Sequence, residues 1–224
     1  MNRVGTDVRP RALRDMTPDP HPTNYFAFLG LPRRLNVDMS VLEQRFRELS
    51  RQYHPDYFYN ASQKERLESL ERSSFLNDAY RTLRNPVARI EYLLGLEGLP
   101  VTRPGEGSPK VPASLLQEVF ALNEELDEIR EAREAGEDRA RLRERLAAAR
   151  QPIERKREAH ERQLEELSAR WDAQQDRDTL ELLRERMLER NYINNLLATI
   201  EREVAGLGLT AQGSGPENAV SPKP

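Results

Sequence analysis

Residues 42–56 read LEQRFRELSRQYHPD, and this stretch decides the fold. Leu42, Phe46, Leu49 and Tyr53 recur at steps of four, three and four, which puts them on one face of a helix predicted over residues 39–53, with Asp38 as its N-cap. The other side carries Arg45, Arg47 and Arg51, diluted by Glu43 and Glu48. The helix must end near Tyr53, because Pro55 has no backbone N–H with which to continue it. A basic helix therefore feeds directly into a His54-Pro55-Asp56 turn. Alone, the tripeptide reads as a surface turn and the arginines as a solvated face paired locally with Glu43 and Glu48. Side by side they point to a protein that works on another protein. Arg47 and Arg51, four apart, can meet a partner's acids and give steering and salt-sensitive affinity. Arg47 is the first candidate, then Arg51 and Arg45.

Around this stretch the sequence divides cleanly. Residues 1–22 hold Pro10, Pro18, Pro20 and Pro22 with little apolar content, so they are read as a disordered N-terminal segment. Asn24 to Leu31 is a short apolar helix ended by Gly30 and Pro32. A long helix is predicted from Ser62 to Leu83, with Leu67, Leu70, Leu76, Tyr80 and Leu83 facing inward. Asn85-Pro86 breaks it, and Pro86 suits the first turn of a further helix, Val87 to Leu94, capped by Gly95. Two long antiparallel helices plus short ones make a small domain over residues 23–96. Residues 97–112, with Pro100, Pro104, Pro109 and Pro112, form a linker.

Residues 113–205 read as a second domain. Leu115, Val119, Leu122, Leu126 and Ile129 form a seam that Gly136 ends. Leu142, Leu146, Ala149 and Ile153, then His160, Leu164, Leu167 and Trp171, continue the pattern, with Trp171 expected to plug the bundle's end and a kink or break expected at Pro152. A last helix, about residues 176–205, buries Leu180, Leu183, Met187, Ile193, Leu197, Ile200 and Val204. Short connections imply a three-helix bundle in up-down-up order. Residues 206–224 are read as a disordered tail.

Composition fits an all-α chain. Of 224 residues, 33% are charged and 6% aromatic, which argues against a sheet core. A net charge of −3 gives no overall basic field for nucleic acid, and no apolar run approaches the ~20 residues that would span a bilayer. A secretory h-region is missing from the N-terminus, so a cytoplasmic address is expected. With no cysteine and only His21, His54 and His160, no sequence-local metal site or cofactor is expected. An enzyme could use His54 as a general base oriented by Asp56, but no nucleophile or phosphate loop accompanies it, so the chain reads as non-catalytic.

The basic helix, the Tyr53 anchor, the His-Pro-Asp turn and the run Asn77-Asp78-Ala79-Tyr80-Arg81-Thr82-Leu83 together resemble a J-domain, the module that activates the ATPase of a 70-kDa heat-shock-class chaperone. Further stretches narrow this. Asn24-Tyr25-Phe26-Ala27-Phe28-Leu29-Gly30-Leu31-Pro32, Arg51-Gln52-Tyr53-His54-Pro55-Asp56, Thr82-Leu83-Arg84-Asn85-Pro86, Ala88-Arg89-Ile90-Glu91-Tyr92-Leu93-Leu94 and Glu124-Glu125-Leu126-Asp127-Glu128-Ile129 look like the HscB family of iron–sulfur cluster co-chaperones. The resemblance spans about residues 24–205. It implies an L-shaped protein whose J-domain docks on an HscA-type chaperone through His54, Pro55, Asp56 and the basic helix. It also implies a bundle that binds an IscU-type scaffold. Tyr57 departs from the Lys or Arg common after the Asp, which weakens local positive charge and leaves the loop intact.

Spacing supplies an independent hint about the bundle. Leu116, Phe120, Glu124 and Glu128 lie four apart, beside the seam and outside it. From spacing alone this is as well read as a broadened core face. The resemblance implies scaffold contact at Leu116, Gln117, Phe120, Glu124, Glu128 and Tyr192. Gln117 stands where relatives can carry a larger apolar residue, and Ala121 where they can carry an acid. Two other readings stay open: a J-domain co-chaperone with a different client, and a coiled-coil interaction protein.

Overall fold

The computed structural model describes residues 24–101 and 111–209, so the expectations for residues 1–22 and 210–224, and for most of the linker, fall outside it. Its order is α1 (Tyr25–Phe28), α2 (Met39–Tyr53), α3 (Gln63–Arg84), α4 (Pro86–Leu96), α5 (Leu116–Glu134), α6 (Arg139–Gln174) and α7 (Arg177–Leu209), with 3-10 turns at Pro55–Phe58 and Ala113–Leu115. The described residues contain helices and no strand. None of these helices is long and apolar enough to cross a membrane.

Two compact units result. The first comprises residues 24–96 together with Trp171–Gln174, so Trp171, expected to close the bundle, counts here. Asp38 caps α2 by accepting from the Ser40 and Val41 amides. Ser62 and Glu65 close a reciprocal capping box on α3. Leu42 and Tyr53 are buried as the stripe requires, and Phe46 stacks on Tyr80 with ring centroids 4.2 Å apart. The inward set predicted for α3 is only partly right. Leu67 and Leu70 are 57% and 54% exposed, whereas Ser69, Leu76, Ala79 and Leu83 are buried. At ~100° per residue, Leu67 stands ~180° from Leu76, while Ser69 falls within ~20° of it. Helix α4 also runs past its expected cap: Gly95 is helical, and it is Gly98, at φ +71°, that takes the left-handed turn.

The second unit is the bundle of α5, α6 and α7. Leu115, Val119, Leu122, Leu126 and Ile129 meet Leu142, Leu146, Ile153, Ile193, Leu197 and Ile200 in one core. Pro152 neither breaks α6 nor ends it; the helix is continuous from Arg139 to Gln174. Leu146 and Ile153, buried on either side, hold both halves to the same core and offset the lost hydrogen bond. Helix α7 continues through Gly206 and Gly208 to Leu209, beyond the predicted end. Val204, expected inside, is 39% exposed, and Leu207, seven residues after Ile200, takes the core position. Burial of Leu207 outweighs the ~1 kcal/mol that each helical glycine costs.

His160 is 4% exposed inside this bundle. Burial lowers its pKa below the ordinary 6.5; Glu189 opposes the shift and Arg186 and Lys156 add to it. Because the unfolded chain takes up this proton more readily, the bundle should be more stable above pH ~6.5 and lose that increment as pH falls toward 5. Denaturant unfolding at pH 7 and pH 5 should show this, and His160→Gln should flatten the difference.

Candidate functional site

The His-Pro-Asp turn is built from the end of α2. His54 leaves the helix with φ −63° and ψ 127°, the extended conformation that a following proline imposes. Its carbonyl accepts from the Tyr57 N–H at 3.0 Å, closing the 3-10 turn Pro55–Phe58. Its Nδ1 accepts from the Asp56 N–H at 3.3 Å, which leaves Nε2 to carry the ring proton in the neutral imidazole. The Asp56 carboxylate, 3.5 Å from Nδ1, has a side chain 87% exposed, and that of His54 is 51% exposed. The turn thus offers an outside partner an N–H donor and a carboxylate acceptor a few ångströms apart.

What holds the turn is buried just behind it. Tyr53 is 3% exposed. Its ring stacks on Phe28 and lies under the Arg72 guanidinium, 5.5 Å from the centroid. Burial pushes its phenol up, against the pull of Arg72. Its carbonyl accepts from Ser69 Oγ at 2.9 Å in a buried hydrogen bond, so α3 grips the residue from which the turn departs. Sequence reading missed Ser69; the available signal was its place seven residues before Leu76 on the inward face of α3.

The arginines of α2 are differently placed. Arg45 is half-buried and pairs with Glu48 at 3.2 Å, while Arg47, with a side chain 63% exposed, lies 3.7 Å from Glu43. Arg51 is exposed and has no ion pair among the described residues. These surface pairs are each worth only ~0–1 kcal/mol, so a partner's carboxylate can displace Glu43 or Glu48 at little cost.

On the bundle, α5 presents Leu116, Gln117, Phe120, Glu124 and Glu128 to solvent. Phe120 is 70% exposed and Leu116 40%, while their neighbours Leu115 and Val119 are buried. The broadened-core reading of this ridge therefore does not apply to Phe120. Glu128 and Glu125 both accept from Arg145 of α6, at 2.8 and 2.9 Å. Tyr192 is partly buried and packs against the core to which Leu115 and Val119 belong. Beside the ridge, a groove of about 400 Å³ between α5 and α6 is lined by Ala121, Leu122, Ala148, Ala149, Pro152 and Ile153. Among the described residues no group of three or more His, Asp or Glu is placed to hold a metal ion.

A helix pair joined by an exposed His-Pro-Asp turn defines the first unit as a J-domain, and residues 24–92 match the family model described as DnaJ domain. Over 82% of its length the chain is similar in structure to proteins named HscB. It is 39% identical over 112 residues, half of this chain, to the co-chaperone protein HscB of Proteus mirabilis, and it spans 64% of that protein's length. Its structure resembles the chaperone HscB from Vibrio cholerae, with a TM-score of 0.56 and 28% identity over 82% of this chain and 99% of that one. It also resembles human co-chaperone protein HscB, with a TM-score of 0.58 and 29% identity over 82% of this chain and 84% of that one. Residues 24–92 are thus a J-domain, and the chain beyond them is similar to HscB-type J-domain co-chaperones.

Ser69→Ala should test the support of the turn. Loss of this buried hydrogen bond should cost about 1–2 kcal/mol in denaturant unfolding. It should also raise amide exchange at residues 56–58 while helical content, read by circular dichroism, stays unchanged.

Proposed function

We propose that this chain is a cytoplasmic co-chaperone of iron–sulfur cluster biogenesis, with no catalysis of its own, that binds the cluster scaffold protein and stimulates the ATPase of a 70-kDa heat-shock-class chaperone. The partners are an HscA-type chaperone and an IscU-type scaffold. The observation that carries the reading is the exposed His-Pro-Asp turn at the end of a basic helix, in a chain whose relatives are HscB proteins.

In this proposal residues 23–96 engage the chaperone, and residues 113–205, joined to them by 97–112, engage the scaffold. Asp56 and His54 meet the chaperone as acceptor and donor, Pro55 fixes the turn between them, and Arg47, Arg51 and Arg45 meet its acids. Leu116, Phe120 and Tyr192 supply apolar contact to the scaffold, Gln117 a polar contact, and Glu124 and Glu128 acceptors for its basic groups. Covering Phe120, which is 70% exposed, would yield up to ~1.5–3 kcal/mol of apolar burial. With both contacts on one chain, scaffold and chaperone are held at high mutual concentration.

Two variants separate the contacts. His54→Gln changes a half-exposed side chain and should abolish stimulation of chaperone ATP hydrolysis, leaving scaffold affinity as it was; retained stimulation would remove the turn from the mechanism. Phe120→Ala combined with Tyr192→Ala should weaken scaffold binding tenfold or more, on the scale of lost interface anchors. Stimulation without scaffold should persist, and unaltered scaffold affinity would take both residues out of the interface.

A further inference from the structure

The ridge of α5 begins just after Ser114, and Ser114 is tied down by charged groups outside the ridge. Glu189 of α7 is 2% exposed and accepts from Ser114 Oγ. Its Oε2 lies 3.2 Å from His160 Nε2 and 2.6 Å from Arg186 Nη1. From α6, Lys156 Nζ donates to the Ser114 carbonyl at 2.7 Å and to the Glu118 carboxylate. Residues 114 and 118 flank Leu116 and Gln117, so the first turn of α5 is attached to both other helices by polar links on either side of its exposed apolar start.

Packing does not account for an acid here. Glu189 falls on the stripe that continues through Ile193, Leu196 and Ile200, all buried, and an apolar side chain would fill that place without desolvating a carboxylate. What the acid supplies and a leucine would not is direction. It fixes one hydroxyl at one point, and so sets where the α5 turn sits against α7. Glu189 and Tyr192 are three residues apart on α7 and share a face of that helix.

We infer that Glu189 and Ser114 form a clamp that fixes Leu116, Gln117 and Phe120 in register with Tyr192, which makes Glu189 a positioning residue for scaffold binding. This rests on the function proposed above. Sequence reading gave His160 as a seam residue and passed over Glu189; the signal was its position seven residues before Leu196.

The test uses the full chain, titrated with purified iron–sulfur scaffold protein, with chaperone ATPase stimulation measured in the absence of scaffold. Ser114→Ala should weaken scaffold binding about threefold and Glu189→Ala about tenfold, in line with loss of a hydrogen bond to a charged group. The double variant should bind no more weakly than Glu189→Ala, because both remove one link. Glu189→Gln, which keeps an acceptor for Ser114, should recover most of the affinity. ATPase stimulation should be unchanged throughout, and amide exchange should rise at residues 115–118 in Ser114→Ala. Additive losses, unchanged affinity in Ser114→Ala, or a loss of ATPase stimulation would each overturn the clamp. Should Glu189→Ala lose helical content, Ser114→Ala and Glu189→Gln decide the matter. If Phe120→Ala weakens binding while the clamp variants do not, only the clamp falls. If Phe120→Ala has no effect either, the scaffold-binding role of the ridge falls, and the clamp with it.

Discussion

The first unit depends on one residue being held from three sides. Tyr53 ends α2, packs its ring on Phe28 of α1, and its carbonyl accepts from Ser69 Oγ of α3. The bond from Ser69 answers a problem created by Pro55. A proline two residues beyond Tyr53 stops the helix and frees carbonyls that would otherwise be satisfied within it. Ser69 accepts that burden in the interior, and the chain can then turn outward with its direction fixed. The turn itself has little that could stabilise it, since His54 and Asp56 are mostly in water. Its shape is inherited from the anchor behind it.

The two units handle charge in opposite ways. On α2 the ion pairs are local, exposed and weak, so Arg45 and Arg47 can exchange their partners at little cost. In the bundle, Glu189, His160 and Arg186 are brought together where desolvation makes each group unfavourable unless it is paired. The first arrangement suits a face that exchanges an intramolecular partner for an external one. The second suits a joint that must hold one geometry. Glu118 stands between these cases, half-buried and bound to Lys156, at the edge of the ridge.

Much of this was legible in the sequence, because helix caps and period-3.6 stripes are local signals. Asp38, Ser62 and Pro86 mark true helix starts, and the seam of α5 is buried as its spacing requires. The differences have separate causes. Leu67 and Leu70 are apolar, yet their angular position relative to Leu76 puts them outside, and there geometry decides over hydrophobicity. At Pro152, Gly206 and Gly208 the local rule for ending a helix is sound, but burial of Ile153 and Leu207 prevails over it. Phe120 could not be placed from spacing at all. Whether a side chain next to a seam enters the core depends on the neighbouring helix, and a sequence does not say how close that helix comes.

Separation of the two contacts follows from the cores. The His-Pro-Asp turn is supported by residues of α1, α2 and α3, and the α5 ridge by residues of α5, α6 and α7. No residue named in one set of supports appears in the other, so substitutions in the two should act independently on stability and on their own binding step. In the proposed function, coupling between chaperone and scaffold can arise in the linked ternary assembly, where one chain holds both. Linkage also constrains its form: whatever factor scaffold binding contributes to chaperone affinity, chaperone binding must contribute to scaffold affinity. A chain with two separately supported contacts can satisfy that reciprocity through effective concentration alone, with neither unit changing its fold.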